Sequence, residues 1–155
     1  MTARAEARAP QRPPRESRHR ARELAVQMLY QWEVGRGSMP DVAHAFWTDG
    51  PAPVTPVSET HRQFATSLAT GVAEAVEAID PMIREAAEHW RIERMNVLDR
   101  LILRLAIYEF LHQADTPAKV VINEALELAR TFSTDESVRF INGILDAIRR
   151  RLERE

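Results

Sequence analysis

Val97-Leu98-Asp99-Arg100-Leu101-Ile102-Leu103-Arg104-Leu105-Ala106-Ile107-Tyr108-Glu109-Phe110-Leu111 is the stretch on which the fold turns. No Gly or Pro interrupts it, and Leu, Ile, Arg and Ala are competent helix formers. Val97, Leu98, Leu101, Ile102, Leu105 and Ala106 recur at the spacing of one helix face. Leu103, Ile107, Phe110 and Leu111 then carry apolar character round most of the circumference. A helix of that kind needs protein on most of its sides. It is too short, and too interrupted by Asp99, Arg100, Arg104 and Glu109, to span a membrane. The reading is a central helix, with Arg104 and Glu109 expected to pair within the core or at its edge.

Working outward, the other apolar stripes are also helical. A first helix is expected from Ser17, a good N-cap, to about Val34, burying Ala21, Leu24, Ala25, Met28, Leu29 and Trp32. A short helix follows from Pro40 to about Thr48, with Val42, Ala43, Phe46 and Trp47 inward. The proline-rich run from Gly50 to Pro56 reads as a loop. A long helix then opens at Ser58 and runs to Ile79 on Phe64, Leu68, Gly71, Val72 and Ala75, where Gly71 marks close approach of another helix. Asp80-Pro81 reads as an N-cap with proline at the first helical position, starting a separate helix through Met82, Ile83, Ala86, Ala87 and Trp90. After the central helix, Thr116-Pro117 repeats that signal for a helix to Phe132. Ser133 with Glu136 suggests a capping box for the last, which reaches about Leu152 on Val138, Ile141, Ile144, Leu145 and Ile148. No strand and no internal repeat is evident. The fold class is all-α, with about seven helices.

The chain has 155 residues, enough for one domain with a substantial core. It has no cysteine, which excludes disulfides, thiolate metal sites and Cys nucleophiles and fits a cytoplasmic location. The first 23 residues lack an apolar core, so no secretory signal is expected. Charge is unevenly placed. Seven arginines against Glu6 and Glu16 make residues 1–22 +5, so the remainder carries −7 to give the net −2. Residues 1–16, with Pro10, Pro13 and Pro14 and no periodicity, read as a disordered basic arm, and 17–155 as a single helical domain. A basic arm on an acidic body points to a polyanion at one end.

The first helix carries the most informative local pattern. On a wheel of about 100° per residue, His19, Arg20, Glu23, Gln27 and Tyr30 lie opposite the buried stripe, flanked by Arg18 and Arg22. Arginines near a helix N-terminus oppose the macrodipole, so they are not placed there for helix stability. Cations, an exposed ring and an amide suit single-stranded RNA, through phosphates, stacking and a base edge. A solvated charged face with Tyr30 covered by a neighbouring helix is the bland alternative.

Catalytic patterns are not found. The histidines at 19, 44, 61, 89 and 112 lack metal-ligand spacing, and Glu74/Glu77 and Glu124/Glu127 sit at spacings usual for solvated helix faces. There is no glycine-rich phosphate loop and no nucleophile elbow. No metal or cofactor is expected, and binding is the better class than catalysis.

Several blocks in order resemble the NusB transcription antitermination family: Arg18 to Tyr30, Trp90, Val97 to Glu109, Thr116-Pro117 with Val121-Ile122-Asn123-Glu124-Ala125-Leu126-Glu127-Leu128-Ala129, and Phe140-Ile141-Asn142-Gly143-Ile144-Leu145-Asp146. The resemblance implies two packed three-helix bundles plus an extra helix, and a non-enzymatic role. It also implies partners: single-stranded boxA RNA, the ribosomal protein NusE, and an antitermination complex on RNA polymerase that suppresses termination in ribosomal RNA operons. Carried onto this chain, the RNA-contacting positions are Arg18, His19, Arg20, Arg22, Gln27 and Tyr30. A second patch comprises Arg139, Phe140 and Asn142, and Asp99 matches an acidic position facing NusE. His19 stands where the family often has arginine, which weakens one phosphate contact; the arginines of the arm are expected to compensate. Two alternatives stay open: an RNA-targeting module of an rRNA methyltransferase, and a protein-interaction scaffold whose RNA surface is covered in a homodimer.

Overall fold

A computed structural model describes residues 15–50, 53, 55–88 and 92–154. The arm arginines Arg4, Arg8 and Arg12, and Trp90, lie outside the described residues. Six α-helices and one 3-10 turn follow in order: α1 Arg15–Gly35, α2 Met39–Thr48, α3 Glu59–Ala87, the turn Ile92–Arg94, α4 Val97–His112, α5 Ala118–Phe132 and α6 Asp135–Arg151. Among the described residues there is no strand, and no helix is long and apolar enough to cross a membrane. Helices α1, α2 and α3 pack on one another, as do α4, α5 and α6, and α4 also packs on α1 and α3. The two groups share one apolar core.

Helix α4 holds the centre for the reason its sequence suggests. Leu101, Ile102, Leu103, Leu105, Ala106, Ile107 and Phe110, which project in several directions, are all buried. Removing one of its large side chains costs about 2–5 kcal/mol by leaving a cavity. Its charges are paired rather than solvated. Arg104 donates from Nε and Nη2 to the two carboxylate oxygens of Asp80, both at 2.8 Å, and Arg100 reaches Glu33 at 2.6 Å. Burial works against the Arg104 charge, but the hydrogen bonds and fields of Asp80 and Glu33 overcome it and raise its pKa above the usual arginine value. Gly71 lies where expected at a close approach: a Cβ there would collide with the Tyr108 ring on α4.

Four local expectations are corrected. Asp80-Pro81 does not begin a new helix; α3 runs through it to Ala87. An interior proline costs about 3 kcal/mol or more, yet tertiary contacts hold the helix on both sides, through fully buried Ile79 and Ile83 and the Arg104 clamp on Asp80. Helix α1 begins at Arg15, so Ser17 lies inside it and is not its N-cap. Thr116 does not cap α5; Pro117 holds the N-cap position with no side-chain bond. Ser133 does not form the capping box with Glu136, because Thr134 caps α6 by accepting from the Ser137 backbone N–H, and the Ser133 hydroxyl is committed to Asp99.

Candidate nucleic-acid interface

Helix α1 has a buried stripe of Ala21, Leu24, Ala25, Met28 and Leu29, and that stripe orients everything else on it. Gln27 and Gln31 point outward and Tyr30 remains 46% exposed. Arg18 and Arg20 are half-buried. Among the described residues neither forms an ion pair, and the Nε of each is shielded from solvent without a hydrogen-bond partner. By contrast Arg22, Arg100, Arg104, Arg149 and Arg150 face carboxylates. Arg18 and Arg20 thus stand near the start of α1, about three helical turns from the exposed Tyr30 ring.

Two residues expected on this face are committed elsewhere. Arg22 is 2% exposed and grips Glu109 of α4, donating from Nε at 3.1 and 3.0 Å and from Nη2 at 2.7 Å. Its position beside the apolar stripe carries it into the core, where a charge persists only with a matched partner. His19 sits between two carboxylates, with Nδ1 2.6 Å from Glu124 of α5 and Nε2 2.8 Å from Glu23. The ring ties α1 to α5. Glu124, itself buried, also lies 3.9 Å from Arg22, so His19, Arg22, Glu109 and Glu124 form one network under the α1 face.

The second expected patch lies on α6. Arg139 and Asn142 are exposed and Phe140 is half-buried. Phe140 lines a depression of about 200 Å³ with Arg94, Asn96, Asp99, Glu136 and Ser137. Asp99 is buried at its base: its two carboxylate oxygens accept from the hydroxyls of Ser133 and Ser137, each at 2.7 Å. The residue expected to face a protein partner thus fastens α4 to the start of α6. Tyr30, Gln27 and Gln31 line a separate groove with Leu98 and Phe132. Leu98 and Asp99 are neighbours at the start of α4, so the two patches flank the same helix end, although α1 and α6 are not packed on each other.

The sequence reading missed Gln31, Leu98 and Phe132 as groove residues and Ser133 and Ser137 as the partners of Asp99. Gln31 was legible, standing four residues after Gln27 on the same face. The others join the site only through contacts across the chain. No group of His, Asp or Glu suited to a metal ion occurs among the described residues.

The NusB family model matches residues 19–150. A transcription antitermination protein NusB from Koribacter versatilis is 46% identical over 139 residues, covering 90% of this chain and 92% of the relative. One from Bacillus cereus is 42% identical over 132 residues, covering 85% and 96%. Among solved structures, T. maritima NusB superposes with a TM-score of 0.77 at 31% identity, over 90% of this chain and 93% of that one. A complex of the antitermination factors NusB and NusE with dsRNA matches with a TM-score of 0.77 at 20% identity, over 89% and 99%, a likeness of fold.

Proposed function

The chain belongs to the NusB family, and from that premise we propose that it is a transcription antitermination factor that binds boxA-type RNA together with NusE. Its role is recognition, not catalysis. In the cytoplasm it joins an antitermination complex on RNA polymerase and prevents premature termination in ribosomal RNA operons. The observation that carries the RNA surface is helix α1: Arg18 and Arg20, with no carboxylate partner among the described residues, on the same helix as exposed Gln27 and Tyr30. Phosphate contacts by the arginines supply affinity without sequence information, while ring stacking and the amide supply selectivity. Few charges make a modest site, and a second protein extends it by linkage.

His19, Arg22 and Asp99 act through position in this reading. His19 and Arg22 fix α1 against α4 and α5 and so set where Arg18 and Arg20 point. Asp99 shapes the α4–α6 depression in which NusE docks, and Arg139, Phe140 and Asn142 beside it form the second RNA-facing patch. Fluorescence anisotropy of a labelled boxA-like RNA and a scrambled control, with and without NusE and at two salt concentrations, tests the reading. Preferential binding to the boxA-like RNA, tightened by NusE, is the expected result. Equal, salt-abolished binding to both RNAs would refute selectivity. NusE binding without RNA binding, with a dimer seen by light scattering, would replace this reading with a scaffold.

A further inference from the structure

On the other side of Gln27 and Gln31 from Tyr30, a cleft opens between α1 and α2. Arg20, Leu24, Gln27, Gln31, Phe46 and Trp47 line it, and its volume is about 190 Å³. We propose that this cleft receives one nucleobase of the RNA, extending the strand's path from the Tyr30 groove across α1 onto α2; the proposal rests on the RNA-binding reading above.

Size, chemistry and continuity support it. The cleft falls below the roughly 300–1,000 Å³ of cofactor and drug-sized sites and matches a single planar heterocycle. Trp47 is held before any ligand arrives: its indole N–H donates to Thr66 Oγ1 at 2.8 Å, the Arg62 guanidinium lies 4.9 Å from its ring centre, and Phe46 meets it edge-on at 4.9 Å. A ring fixed in this way accepts a base without the entropy cost of ordering a side chain. Gln27 and Gln31 each bring an amide donor and an acceptor, which a base edge requires. Arg20 lines the cleft and brings a positive charge suited to the phosphate of the same nucleotide. Gln27 and Gln31 line this cleft and the Tyr30 groove alike, so the two form one track.

Charge sets where the track ends. None of these cleft-lining residues is acidic. The larger groove beyond Trp47 sets Glu59 and Glu74 against the one guanidinium of Arg62, which already lies over the Trp47 ring, so its balance opposes a polyanion. The strand therefore stops at Trp47.

The test pairs Gln31→Glu with RNA length. Gln31 is exposed and Glu has a similar helix propensity, so the fold should be retained, as circular dichroism will check. Anisotropy titrations use the boxA-like RNA and versions extended by one nucleotide at either end. The expected result is that one extension tightens binding to the native chain about tenfold, within the range for one stacked base. Gln31→Glu should abolish that gain, and 5-iodouracil at the added position should photo-crosslink to Phe46 or Trp47. If neither extension helps and Gln31→Glu binds every RNA like the native chain, while Tyr30→Ala still weakens binding, the cleft is not a base site and the RNA reading stands. If the native chain binds none of these RNAs, the RNA reading fails and the cleft proposal with it. A crosslink to any other helix also overturns the assignment.

Discussion

Replacing Arg22 with methionine removes one half of a buried ion pair and leaves Glu109, 2% exposed, without its guanidinium. Burial at this level means that solvent screening does not soften the loss. Breaking a buried pair from one side costs about 3–5 kcal/mol, a large share of the roughly 5–15 kcal/mol that hold a domain together. With a urea slope of about 2 kcal/mol per molar, the midpoint should fall by about 2 M. The partner substitution then decides what the pair is for. Arg22→Met with Glu109→Leu removes both charges and fills the space with apolar atoms, and such exchanges are neutral to stabilising by about 1–4 kcal/mol. Recovery should be incomplete, because Glu124, 3.9 Å from Arg22, keeps only His19. The double variant should therefore regain most of the midpoint, and it should bind boxA-like RNA within about twofold of the native chain, since both groups are enclosed. A refolded double variant whose RNA affinity drops tenfold or more would refute this, and would return Arg22 to the RNA-contacting set.

Tyr30→Ala should leave the urea midpoint nearly unchanged, because the ring is 46% exposed, and should weaken RNA binding by about 1–3 kcal/mol; a loss far below 0.5 kcal/mol in an anisotropy titration would make Tyr30 a structural residue. Asp99→Ala deletes the carboxylate that accepts from the Ser133 and Ser137 hydroxyls, which keep only their bond to each other and that from Thr134, and should cost about 1–3 kcal/mol in chemical denaturation, with NusE affinity falling because the α4–α6 depression loosens. Gly71→Ala should destabilise by about 1–3 kcal/mol through the clash with Tyr108; in a Tyr108→Leu background the same change should be neutral or stabilising, since alanine is the better helix former. Burial, followed by the fields of Glu74 and Glu109, raises the Tyr108 pKa above its ordinary value of 10.0. The folded state therefore keeps its proton where the unfolded chain has lost it. Stability should accordingly fall as pH climbs from about 10 through the folded value, and Tyr108→Phe should flatten that part of the urea-midpoint profile.

The resemblance carried by ordered blocks such as Arg18 to Tyr30 and Val97 to Glu109 was legible without coordinates, and the family match over residues 19–150 agrees with it. The apolar circumference of α4 and the stripe of α1 were legible too, because helical periodicity is a local property of the chain. Tyr30 and Gln27 could be assigned to a solvent face on the same grounds, since a residue opposite a buried stripe faces away from the core. Arg22 could not be placed, because it sits at the stripe's shoulder. Whether a shoulder residue turns in or out depends on what lies opposite, and Glu109 lies 87 positions away in the chain. Asp99 depended likewise on Ser133 and Ser137. Asp80-Pro81 shows the limit most clearly: its local signal starts a helix, and the Arg104 clamp with the burial of Ile79 and Ile83 carries α3 through it. Sequence alone thus determined the helices' apolar faces and the solvent side of α1 that carries Gln27 and Tyr30. Only the tertiary structure decided which charges are bound to each other in the interior and which remain at the surface, because burying a charge requires a partner and the partners meet only when the helices pack.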